Sequence, residues 1–291
     1  MWFDMFWQKC KSDGGWIDFE ADIGEIIECI DRSRYDTNGR LNSIDAELPD
    51  ETRVRIKTLT NQTLSVERHA TYRTMKKMAL ADLRRLTDAL SLYMRDEIES
   101  IELPEVNLRD FLSNALDESL DAEKTYVLDF NYTMTFERLV HTRYGKPIAS
   151  EAVCHIHGTD GNSGNEGNIV LGIDEYLSDE QLLRNVNFTE FKKYYQRIDK
   201  ETDSKFLYWI NEINNSRNTK IIIIGHSLGM TDGDVLRQFM NCHNVTAVDC
   251  YYHNEETRKQ QISNLAGILG KDKLVQRITG PNKDIRLILQ K

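Results

Sequence analysis

The spacing of hydrophobic residues changes character near residue 125. Upstream, apolar positions recur at helical intervals: Ile23, Ile26, Ile27 and Ile30 follow Trp16-Ile-Asp-Phe-Glu20. A second set, Tyr72, Met75, Ala79, Leu83, Leu86, Leu90 and Tyr93, lies in a segment from about Val66 to Glu99 and predicts one long amphipathic helix. Met75 and Met78 are expected to fill gaps in its packing. Pro104 stops that helix, the polar stretch Asp36 to Asp50 reads as a loop, and Leu108 to Leu120 carries another helical pattern.

From Thr125 onward strands alternate with helices. Thr125–Phe130, Ala152–His157, the brief Ile169–Leu171 closed by Gly172, Ile221–Ile224, Val245–Tyr252 and Ile285–Leu289 read as strands. Helical stretches fall at Met134 to about His141, Phe188 to Asn215, Asp232 to Met240 and Glu255 to Gly270. The four consecutive Ile residues after Lys220 cannot alternate between two environments, which predicts a central strand covered on both faces. This grammar specifies an α/β fold: a mostly parallel sheet over 125–291, with residues 1–124 supplying a helical region that packs on or inserts into it.

Composition narrows the function classes. The chain has 291 residues, with 47 Asp and Glu against 37 Lys and Arg. That acidic balance argues against a phosphate-binding surface spread over the whole protein and gives no indication of a nucleic-acid partner. No apolar run approaches the roughly 18 residues that span a bilayer, and the N-terminus does not resemble a signal segment. Five scattered cysteines without a Cys-x-x-Cys pair fit a reduced, cytoplasmic protein without structural zinc.

Polar and Gly residues concentrate at three strand ends: Asn131-Tyr132-Thr133, His157-Gly158 and Gly225-His226-Ser227. In open parallel sheets ligands bind at the carboxyl ends of strands, so these turns are expected to share one cleft, on three neighbouring strands of one sheet. His155 and His157 fall on the same face of their strand. His157, nearer its end, is the reactive candidate, and His155 reads as a core or interface histidine. His155, His157 and Asp160 have metal-compatible spacing, but no further ligand cluster supports a metal. Asp232 or Thr231 suits the N-cap of the following helix.

Gly225-His-Ser227-Leu-Gly229 also matches the nucleophile elbow of serine hydrolases. Asp249 and His253 follow in the right chain order. Four residues apart on one strand face, they would stand about 13 Å from each other, too far for a direct hydrogen bond. Ser227 therefore reads better as a turn-forming or ligand-contacting residue.

Taken in order, Phe130-Asn-Tyr-Thr133 with Glu137, His155-Ile-His-Gly158, Ile169-Val-Leu-Gly172 and Ile224-Gly-His-Ser-Leu-Gly-x-x-Asp232 resemble the AbiH phage abortive-infection family. Tyr251-Tyr-His253, Gln260-Gln-Ile-Ser-Asn-Leu265 and Trp16-x-Asp-Phe-Glu20 fit the same pattern. AbiH proteins are in turn similar to sirtuin-like NAD-binding defence proteins. The resemblance implies a Rossmann-like, sirtuin-like core and phage defence through binding or hydrolysis of NAD or a related nucleotide. Asn131 and His157 would serve the ribose chemistry, while Gly158, Gly225, His226, Ser227 and Asp232 would line the nucleotide. It also implies a phage-encoded trigger or partner defence protein, and a homo-oligomer. Glu137 would steady the Asn131 turn or stand exposed on its helix. The Gly-rich nucleotide loop that usually opens such chains does not precede Trp16, so the chain starts downstream of the usual start or its first strand is lost or replaced. That departure keeps a non-catalytic nucleotide- or partner-binding module as the alternative to an NAD hydrolase.

Overall fold

The computed structural model describes residues 23, 24, 27, 72–102, 125–145, 147–161, 167–173, 186–215 and 218–290. The Trp16–Glu20 signature, the Asp36–Asp50 loop and the Leu108–Leu120 helix lie outside them. The described elements are α1 Tyr72–Tyr93, β1 Val127–Asp129, α2 Thr135–Tyr144, β2 Val153–His155, α3 Lys193–Asp199 and α4 Lys205–Asn215. They continue as β3 Thr219–Ile223, α5 Gly233–Met240, β4 Val245–Tyr252, α6 Glu255–Leu269, α7 Lys271–Thr279 and β5 Ile285–Leu289. Contacts divide the chain into two units, residues 1–93 with 169–200, and residues 94–168 with 201–291.

In the first unit, α1 turns most of the described part of the expected stripe inward: Ala79 and Leu83 pack with Ile23, Ile27, Leu171, Phe188 and Phe191, and Leu86 and Leu90 close the margin, whereas Tyr93 is exposed. Met78 is 45 % exposed and fills no gap. Residues 169–171 are buried but form no strand, contrary to the periodicity. Gln196 occupies the place of a neighbouring strand: its Oε1 accepts from Leu171 N–H at 3.2 Å and its Nε2 donates to Leu171 C=O at 2.9 Å. The helix expected from Phe188 to Asn215 is broken into a 3₁₀ turn, α3 and α4. The break is fixed where Asp203 Oδ1 accepts from the Lys205 backbone at 2.9 Å, starting α4.

The second unit holds the parallel strands. β1 pairs with β2, and β3, β4 and β5 form a separate three-stranded sheet with β4 central. The α/β, parallel character therefore holds. The expectation that the strands ending near Phe130, His157 and Ile224 are hydrogen-bonded neighbours in one sheet does not. No ladder among the described residues joins β3 to β1 or β2. What joins them is α5, apolar on two sides. Val235 packs with Cys154, Ile156, Phe206 and Trp209, while Leu236 and Met240 pack with Val248, Cys250, Leu265 and Ile285. Phe130 touches both clusters.

The Ile run is also displaced from its expected place. Among the described residues β3 pairs only with β4, and of its Ile residues Ile223 alone is buried. Helices cover the face bearing Val248 and Cys250. On the opposite face Asp249 is held by Arg286 at 2.6 Å through both carboxylate oxygens and by Lys220 at 3.0 Å. A charged clamp stands where an apolar cover was expected. Those cations outweigh the opposing effect of burial and hold the Asp249 carboxyl below its ordinary range. α7 was not anticipated from the periodicity. No helix among the described residues is long and apolar enough to cross a membrane.

Leu265 is fully buried in the α6–sheet core. Its replacement by Ala is expected to cost about 2–5 kcal/mol in urea denaturation. Met78→Ala on the exposed side of α1 should change stability by no more than about 0.5 kcal/mol. Equal losses at both positions would contradict this packing.

Candidate functional site

Register places the first set of polar groups. Asp129 lies opposite His155 in the β1–β2 ladder, and both side chains are buried. The chain turns immediately after Asp129, whose Oδ1 accepts from the Asn131 backbone N–H at 2.8 Å and from Asn131 Nδ2 at 2.9 Å. Asn131 is thereby fixed in orientation while remaining exposed. From the other side, His155 Nε2 donates to Glu137 Oε1 at 2.7 Å and Nδ1 donates to the Asn131 carbonyl at 3.4 Å. Glu137 rides on α2, whose first turn is anchored by Glu99: Oε1 accepts from Met134 N–H at 2.6 Å and Oε2 pairs with Arg138 at 3.0 Å. Glu137 thus holds the Asn131 turn through His155.

These contacts govern protonation. Burial pulls the His155 pKa down, but the Glu137 hydrogen bond and the charges of Glu137 and Asp129 outweigh it and raise the value above the ordinary histidine range. Burial raises the Asp129 carboxyl, and the Asn131 hydrogen bonds only partly oppose it. Asp129, Glu137 and His155 each offer one donor atom within 4.8 Å of the others, an arrangement suited to a metal ion. It involves neither His157 nor Asp160.

The second set forms across two turns. β2 ends at His155, two residues earlier than expected, so His157 sits on a turn closed by a Gly158 N–H to His155 C=O bond of 3.0 Å. The strand-face argument consequently fails, and the two imidazoles have different partners. Gly158 has φ +73°, and a Cβ there would lie 2.2 Å from the Asn168 carbonyl oxygen, so no other residue fits without movement. His157 Nε2 donates to Asp232 Oδ1 at 2.8 Å, and the other oxygen of that carboxylate lies 3.5 Å from His226 Nε2. His226 Nδ1 accepts from Leu228 N–H at 2.8 Å, which leaves Nε2 to carry the ring proton toward Asp232. Phe130 stands edge-on to both rings, at centroid distances of 5.7 Å from His157 and 4.4 Å from His226. Asp232 makes no side-chain cap bond to α5, so the N-cap role read from the sequence is replaced by this bridging one.

The Gly225–Gly229 turn is not built as a nucleophile elbow. Positive φ falls at Gly225 (64°) and the buried Leu228 (58°), on either side of Ser227. Ser227 is exposed, and its Oγ accepts from Gly229 N–H at 3.3 Å. From α6, Gln261 Nε2 donates to the carbonyls of His226 (3.2 Å) and Tyr251 (3.1 Å), and Asn264 Nδ2 donates to that of Ser227 at 2.9 Å. The groups a triad would need are engaged elsewhere, Asp249 by Arg286 and Lys220, and His253 by Thr257 at 3.1 Å.

The structure therefore brings His157, Gly158, His226 and Asp232 together, sets Gly225 and Ser227 on the adjoining turn, and fixes Asn131 through Asp129. His157 is buried, whereas Asn131, Gly225 and Ser227 are exposed. Asp129, Gln261 and Asn264 were missed as positioning residues. The signal for Asp129 was an Asp interrupting an apolar strand just before a polar turn, and Gln261 and Asn264 lie in the Gln260–Leu265 motif.

A family model described as bacteriophage abortive infection AbiH matches residues 1–253. The chain belongs to the AbiH family. The match includes Asn131, His157, the Gly225–Gly229 turn and Asp232, and ends at His253, before α6. AbiH membership associates the chain with abortive infection of phage-challenged cells. No curated protein and no solved structure matches it.

Two measurements check this geometry. Because its folded pKa is raised, His155 contributes stability that is fully present below about pH 6.5 and lost as pH rises through the raised value. Glu137→Gln should lower the His155 pKa in an NMR titration of its Cε1–H and flatten that pH dependence; an unchanged midpoint would refute the Glu137–His155 bond. A fluorophosphonate probe should leave Ser227 unmodified. Labelling abolished by both Ser227→Ala and His253→Ala would restore the hydrolase reading.

Proposed function

We propose that this AbiH-family chain acts in phage defence by binding NAD or a related nucleotide at the carboxyl ends of β1, β2 and β3, and by hydrolysing the nicotinamide–ribose bond. The observation that carries the reading is the Asp232 carboxylate shared between His157 and His226, together with an Asn131 amide locked by Asp129 at the end of β1. In this reading the parallel strands belong to a Rossmann-like, sirtuin-like core. Gly158, Gly225, His226, Ser227 and Asp232 then contact the nucleotide, and a phage-encoded trigger or partner protein acts on the same molecule.

The chemistry follows from where charge develops. As the bond between ribose C1′ and the nicotinamide nitrogen breaks, its electron pair leaves with nicotinamide and the sugar becomes oxocarbenium-like. Water then adds at C1′ and releases a proton. One N–H of Asn131 Nδ2 is given to Asp129, which fixes the amide and leaves its Oδ1 to orient that water or a ribose hydroxyl. His157 Nε2 donates to Asp232, so a proton taken from a hydroxyl or water would be received at Nδ1, with Asp232 stabilising the imidazolium. The Tyr132 ring neighbours the buried His157, 6.3 Å away between centroids.

The test uses the purified chain with NAD, with loss of NAD followed by chromatography. Asn131→Ala and His157→Ala, each checked for folding by circular dichroism, should lose about 100-fold to 10,000-fold in rate. Ser227→Ala should weaken binding and keep a measurable rate. Binding without turnover would convert the reading to a nucleotide-binding module, and neither binding nor turnover at millimolar NAD would overturn it.

A further inference from the structure

We propose that Asp129, Glu137 and His155 form a binding site for one divalent cation, beneath the Asn131 turn. The three donors come from β1, α2 and β2, and are brought within 4.8 Å of one another by the Asp129–His155 register and by the packing of α2. Their side chains are 6 %, 19 % and 11 % exposed, so the charges they carry are largely removed from water.

Charge balance is the first argument. Among the described residues, the ion pairs of Asp129 and Glu137 are both with His155. A single imidazolium between two carboxylates leaves one negative charge uncompensated in a buried place, which is costly. A divalent ion with a neutral imidazole brings the sum to zero.

Hydrogen bonding is the second argument and is independent of the first. Glu137 Oε2 is buried with no hydrogen-bond partner. A proton on His155 Nε2 satisfies Glu137 Oε1 and does nothing for Oε2, whereas a cation accepts either oxygen or both. Orphaned carboxylate oxygens in native interiors point to an ion or an ordered water.

The surroundings already have the form of an outer coordination shell. His155 Nδ1 donates to the Asn131 carbonyl, which orients the ring and leaves Nε2 as the ligating nitrogen. Asp129 Oδ1 is held by two Asn131 N–H donors, which leaves Oδ2, 3.9 Å from His155 Nδ1, as its remaining oxygen. Two carboxylates with one imidazole make a mainly oxygen donor set, which suits Mn²⁺ or Mg²⁺ better than a thiolate-seeking ion. A cation here would bear on the same Asn131 turn without requiring that the turn catalyse anything.

The experiment is a titration of the full chain, first stripped with chelator, with Mn²⁺. Isothermal calorimetry should give one site, and the melting temperature should rise with Mn²⁺ concentration. Electron spin-echo spectroscopy of the unaltered, ¹⁵N-histidine-labelled chain should show one directly bound histidine nitrogen. Glu137→Gln, nearly isosteric, should weaken Mn²⁺ more than tenfold while His157→Ala leaves it within twofold. Absence of binding, a Mn²⁺ signal without histidine nitrogen coupling, or unchanged affinity in Glu137→Gln would each overturn the proposal and leave His155 as a proton-bridged structural group. NAD turnover is not a readout, so failure of the nucleotide reading leaves this result interpretable.

Discussion

The Asp232 carboxylate is the contact on which the arrangement of the strand ends depends. β1–β2 and β3–β4–β5 are not joined by a backbone ladder among the described residues, so the turns that follow them need another tie. Asp232 provides it at the first turn of α5, reaching His157 after β2 and His226 after β3. Its own position is set by α5, which buries Val235 against one cluster and Leu236 with Met240 against the other. Phe130 stands edge-on to both imidazoles. A mostly buried carboxylate of this kind is costly unless its partners stay in place, so the packing of α5 and the geometry of the two turns enforce one another.

β2 serves two networks at once. His155, its last residue, faces Asp129 and Glu137, and His157, on the turn, faces Asp232. The tight turn from His155 to Gly158 carries His157 away from the strand, and Gly158 follows it with a positive φ. Asn131, Gly225 and Ser227 are exposed; Asn131 is held by Asp129 and His155, and the Ser227 turn by Gln261 and Asn264 from α6. Groups that could meet a ligand are thus placed by side-chain hydrogen bonds from neighbouring elements, which is the condition for preorganised binding.

Much of this was legible in the sequence where the signal is local. β4, β5 and α6 match the expected segments almost to the residue, because strand alternation and helical spacing depend only on neighbours along the chain. The Ile run identified a strand but not its rank. A buried run fits several positions in a sheet, and the order β3-β4-β5 is decided by which strands pair. Ile169–Leu171 has strand composition, yet its backbone is satisfied by the Gln196 side chain, which no periodicity reveals. Asn131 and His157 were recognisable as strand-end polar residues. Their partners were harder: Asp129 meets His155 only through the β1–β2 register, and Glu137 meets it only through the packing of α2. Asp232 looked like a helix cap because composition shows a carboxylate at a helix start but not where its oxygens point.

The most direct test of the account is an NMR titration of the ¹³C,¹⁵N-labelled chain with NAD, following the side chains at the strand ends. The Asn131 amide and the Cε1–H resonances of His157 and His226 are predicted to shift together and saturate with a single dissociation constant. His243 and His253, which lie outside the constellation, should stay unmoved. Saturable shifts confined to those outer histidines, or none at the strand ends at millimolar NAD, would contradict it.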